Sequence, residues 1–315
     1  MKSKLKYFLR NPRFVLLGIL YHLAPQIPDK LYLKWLFRLH TGKKLNLKDP
    51  KGFNEKLQWL KLYNRRPEYS LMVDKYSVKD YVAEKIGRQY IIPTLGVWDS
   101  FDEIDFDSLP DKFVLKTTHG GGGGGVIICR NKGTFDMSVA REKLNRSMAD
   151  DCFTKTREWP YKEVPHRIIA EKLLEVRPSD TGDLPDYKWF CFGGEPRYCQ
   201  VIQNRSSNET IDFFDTEWNH QEFVGLSPTA GPATVYPAKP ANLETQISIA
   251  RELSKDIPFS RIDLYETDGN TYFGEITLYP ASGFGMFRPD QYNEMLGAMI
   301  NLPGEKWGDY QTVTK

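Results

Sequence analysis

The chain has 315 residues, 40% of them hydrophobic and 13% aromatic, enough apolar material for a substantial core divided into two or three lobes. Its 43 Lys and Arg against 41 Asp and Glu leave a formal net charge of +2, far from the basic excess of a dedicated nucleic-acid binder, so no nucleic-acid partner is expected and any electrostatic preference must be local. The four cysteines, Cys129, Cys152, Cys191 and Cys199, form no Cys-x-x-Cys or Cys/His spacing; they signal neither zinc nor a disulfide framework and fit a reducing cytoplasm.

Residues 1–50 open with Lys2, Lys4, Lys6, Arg10 and Arg13 ahead of an apolar run from Phe14 to Leu20. A membrane span needs about 20 apolar residues, Tyr21 and His22 interrupt the run, and no small-residue cleavage site follows before Pro25 and Pro28, so the secretory-signal reading is rejected. A basic amphipathic arm remains, continued by KLYLKWLFRLHTGKK, which packs as an ordinary helix on the body or rests on anionic lipid. The expected location is cytoplasmic, with peripheral membrane contact left open. Residues 51–90 read as a helical lobe: NEKLQWLKLY puts Leu57, Leu60 and Tyr63 on one face, and SLMVDKYSVKDYVAEKIG runs on as a helix through Val73, Tyr76, Tyr81 and Val82 to a stop at Gly87.

From Ile91 the rhythm changes to strands and turns. YIIPTLGVW, DKFVLKTT and GVIICR are strands, SVAREKLNRSMAD a helix, and HRIIAEKLL a strand that closes a 91–174 unit. The 175–315 unit begins with the turn-rich EVRPSDTGDLP, then a hairpin DYKWFCFGGEPRYCQVIQNR around Gly193 and Gly194, flanked by Cys191 and Cys199 as small half-buried side chains. NETIDFFDTEW adds a strand, and the Pro-, Thr- and Ala-rich stretch from Leu226 to Ala241 reads as a lid or substrate loop. A helix NLETQISIARELSKDI leads to paired strands in RIDLYETDGNTYFGEITLYP and a last helix PDQYNEMLGAMINL. Hairpin-linked, mainly antiparallel sheets with interspersed helices make the fold class α+β.

The stretch FVLKTTHGGGGGGVIICR places six consecutive glycines, Gly120 to Gly125, between two strands, although ordered glycine loses more backbone entropy than any other residue. A dinucleotide fingerprint or a Walker loop needs a helix directly afterwards, and VIIC is a strand. A hairpin tip whose bare N–H groups close over a polyphosphate fits better, with Lys116 on the preceding strand as a point charge; a ligand-free surface hairpin is the plainer alternative. Arg261 and Asp263, two apart on one strand, share a face, as do Glu275 and Thr277 on the next. This could set Asp263 across from Glu275 as hard oxygen ligands of the kind Mg²⁺ takes with phosphate oxygens, while two solvated strand carboxylates remain the plainer reading of that pair alone.

The order of these motifs resembles the ATP-grasp superfamily. More closely, FNEKLQWLKLY, VDKYSVKDYVAEKIG, FVLKTTHG, RIIAEKLLE, DYKWFCFGGEP and GEITLYPASGFG are similar to the TupA-like ATP-grasp proteins of bacterial cell-surface polysaccharide and teichuronopeptide clusters, over about Gly52 to Leu302. The resemblance implies two α+β subdomains gripping ATP between antiparallel sheets, behind a mainly helical N-terminal region. It implies Lys75 and Lys116 on the ATP phosphates beneath Gly120, Gly121, Gly122, Gly123, Gly124 and Gly125, with His119 either a phosphate-side donor or a turn residue. Backbone groups of Glu171 and Lys172 would hold adenine against Leu174; Glu175, Asp180 and Asp183 all qualify as the ribose acid. Lys188 would be a further phosphate contact, Asp263, Glu275 and Thr277 the Mg²⁺ ligands, and Arg261 the group that stabilises charge on the transferred phosphate and the tetrahedral intermediate. Thr277 stands where much of the superfamily has Asn, a weaker ligand set.

The implied activity is ATP-dependent carboxylate–amine ligation through an acyl phosphate, joining a glycan or nucleotide-sugar carboxylate, such as a uronic acid, to an amino acid or other amine. Arg261, Lys116 and Lys188 would be its catalytic residues. Ser282, Gly283 and Arg288 lie where an acceptor could be met; Trp159, Tyr161 and Trp189 could stack on sugar rings or simply pack in the core. Two rival functions are a glycosyltransferase, whose Asp-x-Asp clue at Asp105 to Asp107 reads as solvated surface, and a non-catalytic ATP-binding protein.

Overall fold

The computed structural model describes residues 12–120, 124–175, 183–205, 207–227 and 229–304. Five helices come first: α1 (Pro12–Leu23), α2 (Asp29–Thr41), α3 (Phe53–Tyr63), α4 (Glu68–Val73) and α5 (Val78–Ile86). The helix expected to run unbroken to Gly87 is interrupted at Asp74, which leaves helical geometry at φ −75° and ψ 111°. Its carboxylate accepts from the Tyr76 N–H at 3.0 Å, the Ser77 hydroxyl at 2.6 Å and Arg167 at 2.8 Å, so a side chain replaces helical backbone bonds there. Of the residues along this run, Val73 and Val82 are buried, as is Val78, while Tyr76 is exposed.

Helix α3 corrects a second expectation. Leu57 and Leu60 are buried, but Tyr63 is exposed. The helix buries Asn54, Gln58 and Lys61 because they meet backbone carbonyls of the turn 280–283, where Ala281 and Ser282 take left-handed φ of 49° and 51°. Asn54 and Gln58 donate to the Gly283 oxygen at 3.0 and 2.9 Å, and the Lys61 ammonium donates to the Ser282 oxygen at 2.8 Å. These bonds satisfy carbonyls that a non-repetitive turn leaves open. Burial brings the Lys61 pKa down to about 8 against the opposing pull of Glu158.

The first sheet contains β1 (Thr94–Trp98), β2 (Phe113–Thr117), β3 (Val126–Cys129) and β4 (Ile168–Lys172) in the order β1-β4-β2-β3, antiparallel throughout, with α6 (Met137–Met148) and α7 (Cys152–Thr156) between β3 and β4. Period-two alternation divides its faces. Phe113, Leu115, Ile168 and Ala170 pack with Leu144 and Ala140 of α6, which leaves Lys116 and Glu171 on the opposite face.

The second sheet is built from β5 (Asp186–Phe192), β6 (Glu195–Gln203) and β7 (Thr210–Phe214), then, after the two-residue β8 (Val224–Gly225) and helix α8 (Leu243–Ser254), from β9 (Phe259–Thr267) and β10 (Asn270–Thr277). Its order is β10-β9-β5-β6-β7; β11 (Phe287–Arg288) pairs with β8, and α9 (Gln291–Ala298) follows. Trp189 is fully buried and its indole N–H donates to Gln246 of α8 at 3.1 Å, so it belongs to the core and not to a sugar site. Cys191 and Cys199 are fully buried rather than half-buried, and all four cysteines are free thiols. Asp105 and Asp107 are exposed, with Asp105 capping a short turn.

Helix α9 approaches the start of α3 so closely that a Cβ at Gly297 would lie 2.2 Å from the Lys51 oxygen and 2.6 Å from the Phe53 nitrogen. Gly18 of α1 has nothing within 4 Å of the same atom. Gly297→Ala should therefore destabilise the fold by about 1–3 kcal/mol, whereas Gly18→Ala should stabilise it by up to about 1 kcal/mol through helix propensity. Paired denaturant titrations check this, and equal effects at the two sites would contradict the packing.

Candidate functional site

Strands β9 and β10 are joined by the turn at Asp268 and Gly269, and their register sets Glu275 opposite Asp263. A bulge between Phe273 and Glu275 makes this possible: a Cβ on Gly274 would meet the Asp263 oxygen at 3.0 Å and a Tyr265 ring carbon at 2.9 Å. Arg261 lies in line with Asp263 and grips it through two bonds, Nε to Oδ1 at 2.7 Å and Nη2 to Oδ2 at 2.8 Å. The same Nη2 reaches Glu275 Oε1 at 3.2 Å and Thr277 Oγ1 at 3.0 Å. From β5, Lys188 donates to Asp263 and stands 3.6 Å from Asp186, which also pairs with Arg205 at 3.0 Å.

The two carboxyls respond in opposite directions. Burial raises the Asp263 pKa above its ordinary value, with Arg261 and Lys188 opposing. For Glu275 burial pushes the same way, but Lys75, Arg261 and Lys188 outweigh it and hold the carboxyl at about 2.

Lys75 arrives from the turn at Asp74. Its backbone N–H donates to the Thr118 oxygen at 3.0 Å, its ammonium donates to the Gly120 oxygen at 2.6 Å, and that ammonium is 3.8 Å from Glu275. One side chain thus connects the glycine hairpin to the carboxylate strands. The hairpin closes where the Thr117 N–H donates to the Gly125 oxygen at 3.0 Å. Two of its glycines are required for distinct reasons: Gly120 has φ +75°, and a Cβ on Gly125 would fall 2.1 Å from Thr117 Oγ1. Gly124 faces open space, and Gly121, Gly122 and Gly123 lie outside the described residues.

On the open face of the first sheet, the Glu171 carboxylate takes Lys116 at 2.5 Å through one oxygen and Lys79 at 2.6 Å through the other. Lys79 also donates to the Ile92 oxygen and to Thr94 Oγ1, at 2.9 and 2.7 Å. Burial alone would raise the Glu171 pKa; the two lysines reverse this and lower it. Neither Lys79 nor a side-chain role for Glu171 follows from the sequence reading. A usable signal was the position of Lys79 one helical turn after Lys75.

The remaining expected residues are placed as follows. Glu171 pairs in the ladder with Thr94 and Val114, and the Lys172 N–H is committed to the Pro93 oxygen at 3.0 Å; Leu174 is half-buried just beyond the strand. Glu175 pairs with Lys112 at 2.9 Å while its backbone oxygen accepts from Thr267 at 2.7 Å, tying the end of β4 to β9. Asp183 is half-buried, and Asp180 lies outside the described residues. His119 is wedged against α6: Nε2 is 3.0 Å from the Ser147 oxygen, and the ring stacks on His166 at 3.5 Å. Burial and the stacked His166 lower its pKa, and Nδ1 is buried with no partner among the described residues. Ser282 and Gly283 are bound by α3 through their carbonyls, and Arg288 donates to the Ala230 oxygen at 2.7 Å, so it braces the 226–241 loop. Trp159 and Tyr161 sit in a short turn, with Tyr161 packed on the main core.

Among the described residues no group of three or more His, Cys, Asp or Glu is arranged for a metal. Asp263 and Glu275 supply two carboxylates and Thr277 a hydroxyl, all gathered on one guanidinium. That donor set is too small for zinc or calcium held by protein alone and fits Mg²⁺, which takes one or two carboxylates and completes its shell with phosphate and water oxygens.

Because Glu171 is the shared partner of two buried lysines, Glu171→Gln should cost about 3–5 kcal/mol near neutral pH. Its folded pKa is depressed, so this contribution is present above the ordinary value near 4.5 and is lost as pH falls through the folded value. Melting curves from pH 7 downward should show the gap between wild type and variant closing below about pH 4.5; a gap unchanged across that range would contradict the pairing.

No curated protein matches this chain in sequence. Solved structures similar to it include the D-alanine–D-alanine ligase from Bacillus anthracis complexed with ATP, at 14% identity and a TM-score of 0.37 over 72% of this chain and 57% of that one. The Helicobacter pylori D-alanine–D-alanine ligase has 16% identity and a TM-score of 0.41 over 80% and 69%. The ATP-grasp ligase PsnB, complexed with a phosphomimetic variant of its minimal precursor, Mg and ADP, has 11% identity and a TM-score of 0.40 over 94% and 72%. The chain therefore spans less than two thirds of the first of these ligases. The TupA-like ATP-grasp family model matches residues 55–301, most of the chain and all of its described strands, and the protein belongs to that family, with the α+β architecture of the ATP-grasp fold.

Proposed function

We propose that this protein is an ATP-dependent carboxylate–amine ligase. The observation that carries the reading is the Lys75 ammonium, bonded to the Gly120 oxygen and 3.8 Å from Glu275, which sets a glycine hairpin suited to polyphosphate against a paired-carboxylate strand. Lys75, Lys116 and Lys188 neutralise the ATP phosphates, and Gly120 to Gly125 fold over them with unobstructed N–H groups. His119, its ring held against α6 by Ser147 and His166, serves the hairpin as a turn residue. The end of β4 holds adenine against Leu174, beyond the Lys172 N–H that Pro93 already occupies, and Glu175 or Asp183 reaches the ribose. Mg²⁺, when held by Asp263, Glu275 and Thr277, supplies charge neutralisation between phosphate oxygens.

In the first step a substrate carboxylate attacks the γ-phosphorus of ATP and ADP departs, leaving an acyl phosphate. In the second an amine attacks the acyl carbon, phosphate leaves, and the amine proton passes to solvent or a base. Arg261 stabilises the negative charge that develops in both steps. No side-chain nucleophile is needed. The carboxylate is that of a glycan or nucleotide sugar, such as a uronic acid, and the amine is an amino acid or a relative of one. Residues 1–50 act as an arm, 51–90 as a helical lobe, and 91–174 and 175–315 as the two gripping halves, in the cytoplasm with the arm in peripheral contact with the membrane.

The test is ADP and phosphate release from Mg-ATP with a panel of uronic acids, UDP-uronates and amino acids, with intact-mass detection of the product. Release over many turnovers should require a carboxylate and an amine together and give an amide. Glu275→Gln should cut turnover by about a thousandfold or more while the protein still unfolds in a single cooperative transition. Unchanged turnover in that variant would overturn the metal assignment, and nucleotide binding without ADP release under every pairing would overturn the ligase reading.

A further inference from the structure

We propose that the outward face of α1 and α2 is a docking surface for an anionic lipid bilayer. The first fifty residues hold eleven Lys and Arg against two acids, Asp29 and Asp49, so this segment is strongly basic and the rest of the chain is net acidic. Both acids are spent elsewhere. Asp29 is clasped by Arg65 at 2.6 Å and Arg157 at 2.9 Å on the inner side of the corner, and Asp49 pairs with Lys51 at 2.7 Å. Lys30, Lys34 and Arg38, exposed on α2, pair with no carboxylate among the described residues.

The same face is apolar between its cations. On α1 the inner side buries Leu20, as Ala24 is buried just past its end, yet the outer side carries Val15, Leu16, Ile19 and Leu23, with Ile19 52% exposed. A helix that is apolar all round is ordinarily buried. On α2, Tyr32, Leu33, Leu36 and Phe37 face inward, while Leu31 and Trp35, one turn apart, project outward between Lys30, Lys34 and Arg38, with Trp35 47% exposed. An outward tryptophan and leucine flanked by long cationic side chains match a helix lying in a headgroup layer. No helix among the described residues is long and apolar enough to cross a membrane, so the pair lies on the bilayer.

The surface is fixed to the body. The Arg157 guanidinium lies over the Tyr32 ring at 4.2 Å and donates to the Ala24 oxygen at 2.5 Å, and Phe284, in the turn that follows β10, joins the α1–α2 core. Docking through this face would hold the turn at Ser282 and the strands before it in one orientation to the lipid. A lipid-linked or membrane-proximal co-substrate would then be presented from a constant side. The inference deepens the membrane contact proposed above and is independent of the ligase chemistry, because its test reads partition and not turnover.

The full chain is sedimented with vesicles of phosphatidylglycerol and phosphatidylcholine, and separately with phosphatidylcholine alone, at low and high salt. It should sediment with the anionic vesicles only and be released by salt. Lys30→Glu/Lys34→Glu/Arg38→Glu should lower the partition coefficient about a hundredfold, and Ile19→Gln/Trp35→Gln about tenfold or more, both with unchanged circular dichroism. Equal sedimentation of the charge-reversed variant, or no sedimentation of the wild type, would overturn the proposal. So would a dimer that Ile19→Gln/Trp35→Gln converts to monomer without any vesicle binding, which would assign the face to a second copy of the chain.

Discussion

Lys75 is held by three partners from two other parts of the chain. Its N–H is on Thr118, its ammonium on Gly120, and the same ammonium faces Glu275 from 3.8 Å. The helical lobe, the glycine hairpin of the first sheet and the carboxylate strands of the second therefore meet at one residue. That geometry exists because Asp74 stops α4 and turns the backbone before α5 can begin; an uninterrupted helix would place residue 75 on a helical surface instead.

The second constraint is electrostatic. Asp186, Asp263 and Glu275 are matched in the site by Lys188, Arg261, Arg205 and Lys75, and Glu171 by Lys79 and Lys116. Pairing charges in a low-dielectric interior seldom adds net stability, since the desolvation of each ion offsets their attraction. Such an array is better understood as a set of exchangeable partners. In the proposed reaction a polyphosphate would compete for Lys75, Lys116, Lys188 and Arg261, and a divalent cation would compensate the carboxylates they release. The opposite pKa directions of Asp263 and Glu275 follow from the same arrangement, because Glu275 alone has Lys75 beside it.

Much of this site could be read from the sequence because strands have a period of two and tight turns fix register. That Arg261 and Asp263 share a face followed from the period of two, whereas the register set by the turn would place Gly274 opposite Asp263; the bulge that brings Glu275 there instead left no mark in the sequence pattern. What escaped depends on contacts distant in sequence. Tyr63 looked buried on helical periodicity, but α3 turns Asn54, Gln58 and Lys61 inward toward a left-handed turn more than 200 residues away, which no local pattern reveals. The break at Asp74 needs Arg167, 93 residues on, and the paired lysines on Glu171 come from a helix and a separate strand. The glycine run looked uniform, whereas Gly120 is set apart by its positive φ and Gly125 by the Thr117 and Ser147 side chains packed against it.

The central claim is that the glycine hairpin, the end of β4 and the β9–β10 strands enclose one nucleotide. Amide hydrogen exchange with and without Mg²⁺ and a non-hydrolysable ATP analogue tests this most directly. The expected result is slowed exchange in three segments together, 117–126, 168–175 and 261–277, and little change in α1, α2 and β7. Protection absent from the glycine hairpin, or confined to one sheet, would contradict the account.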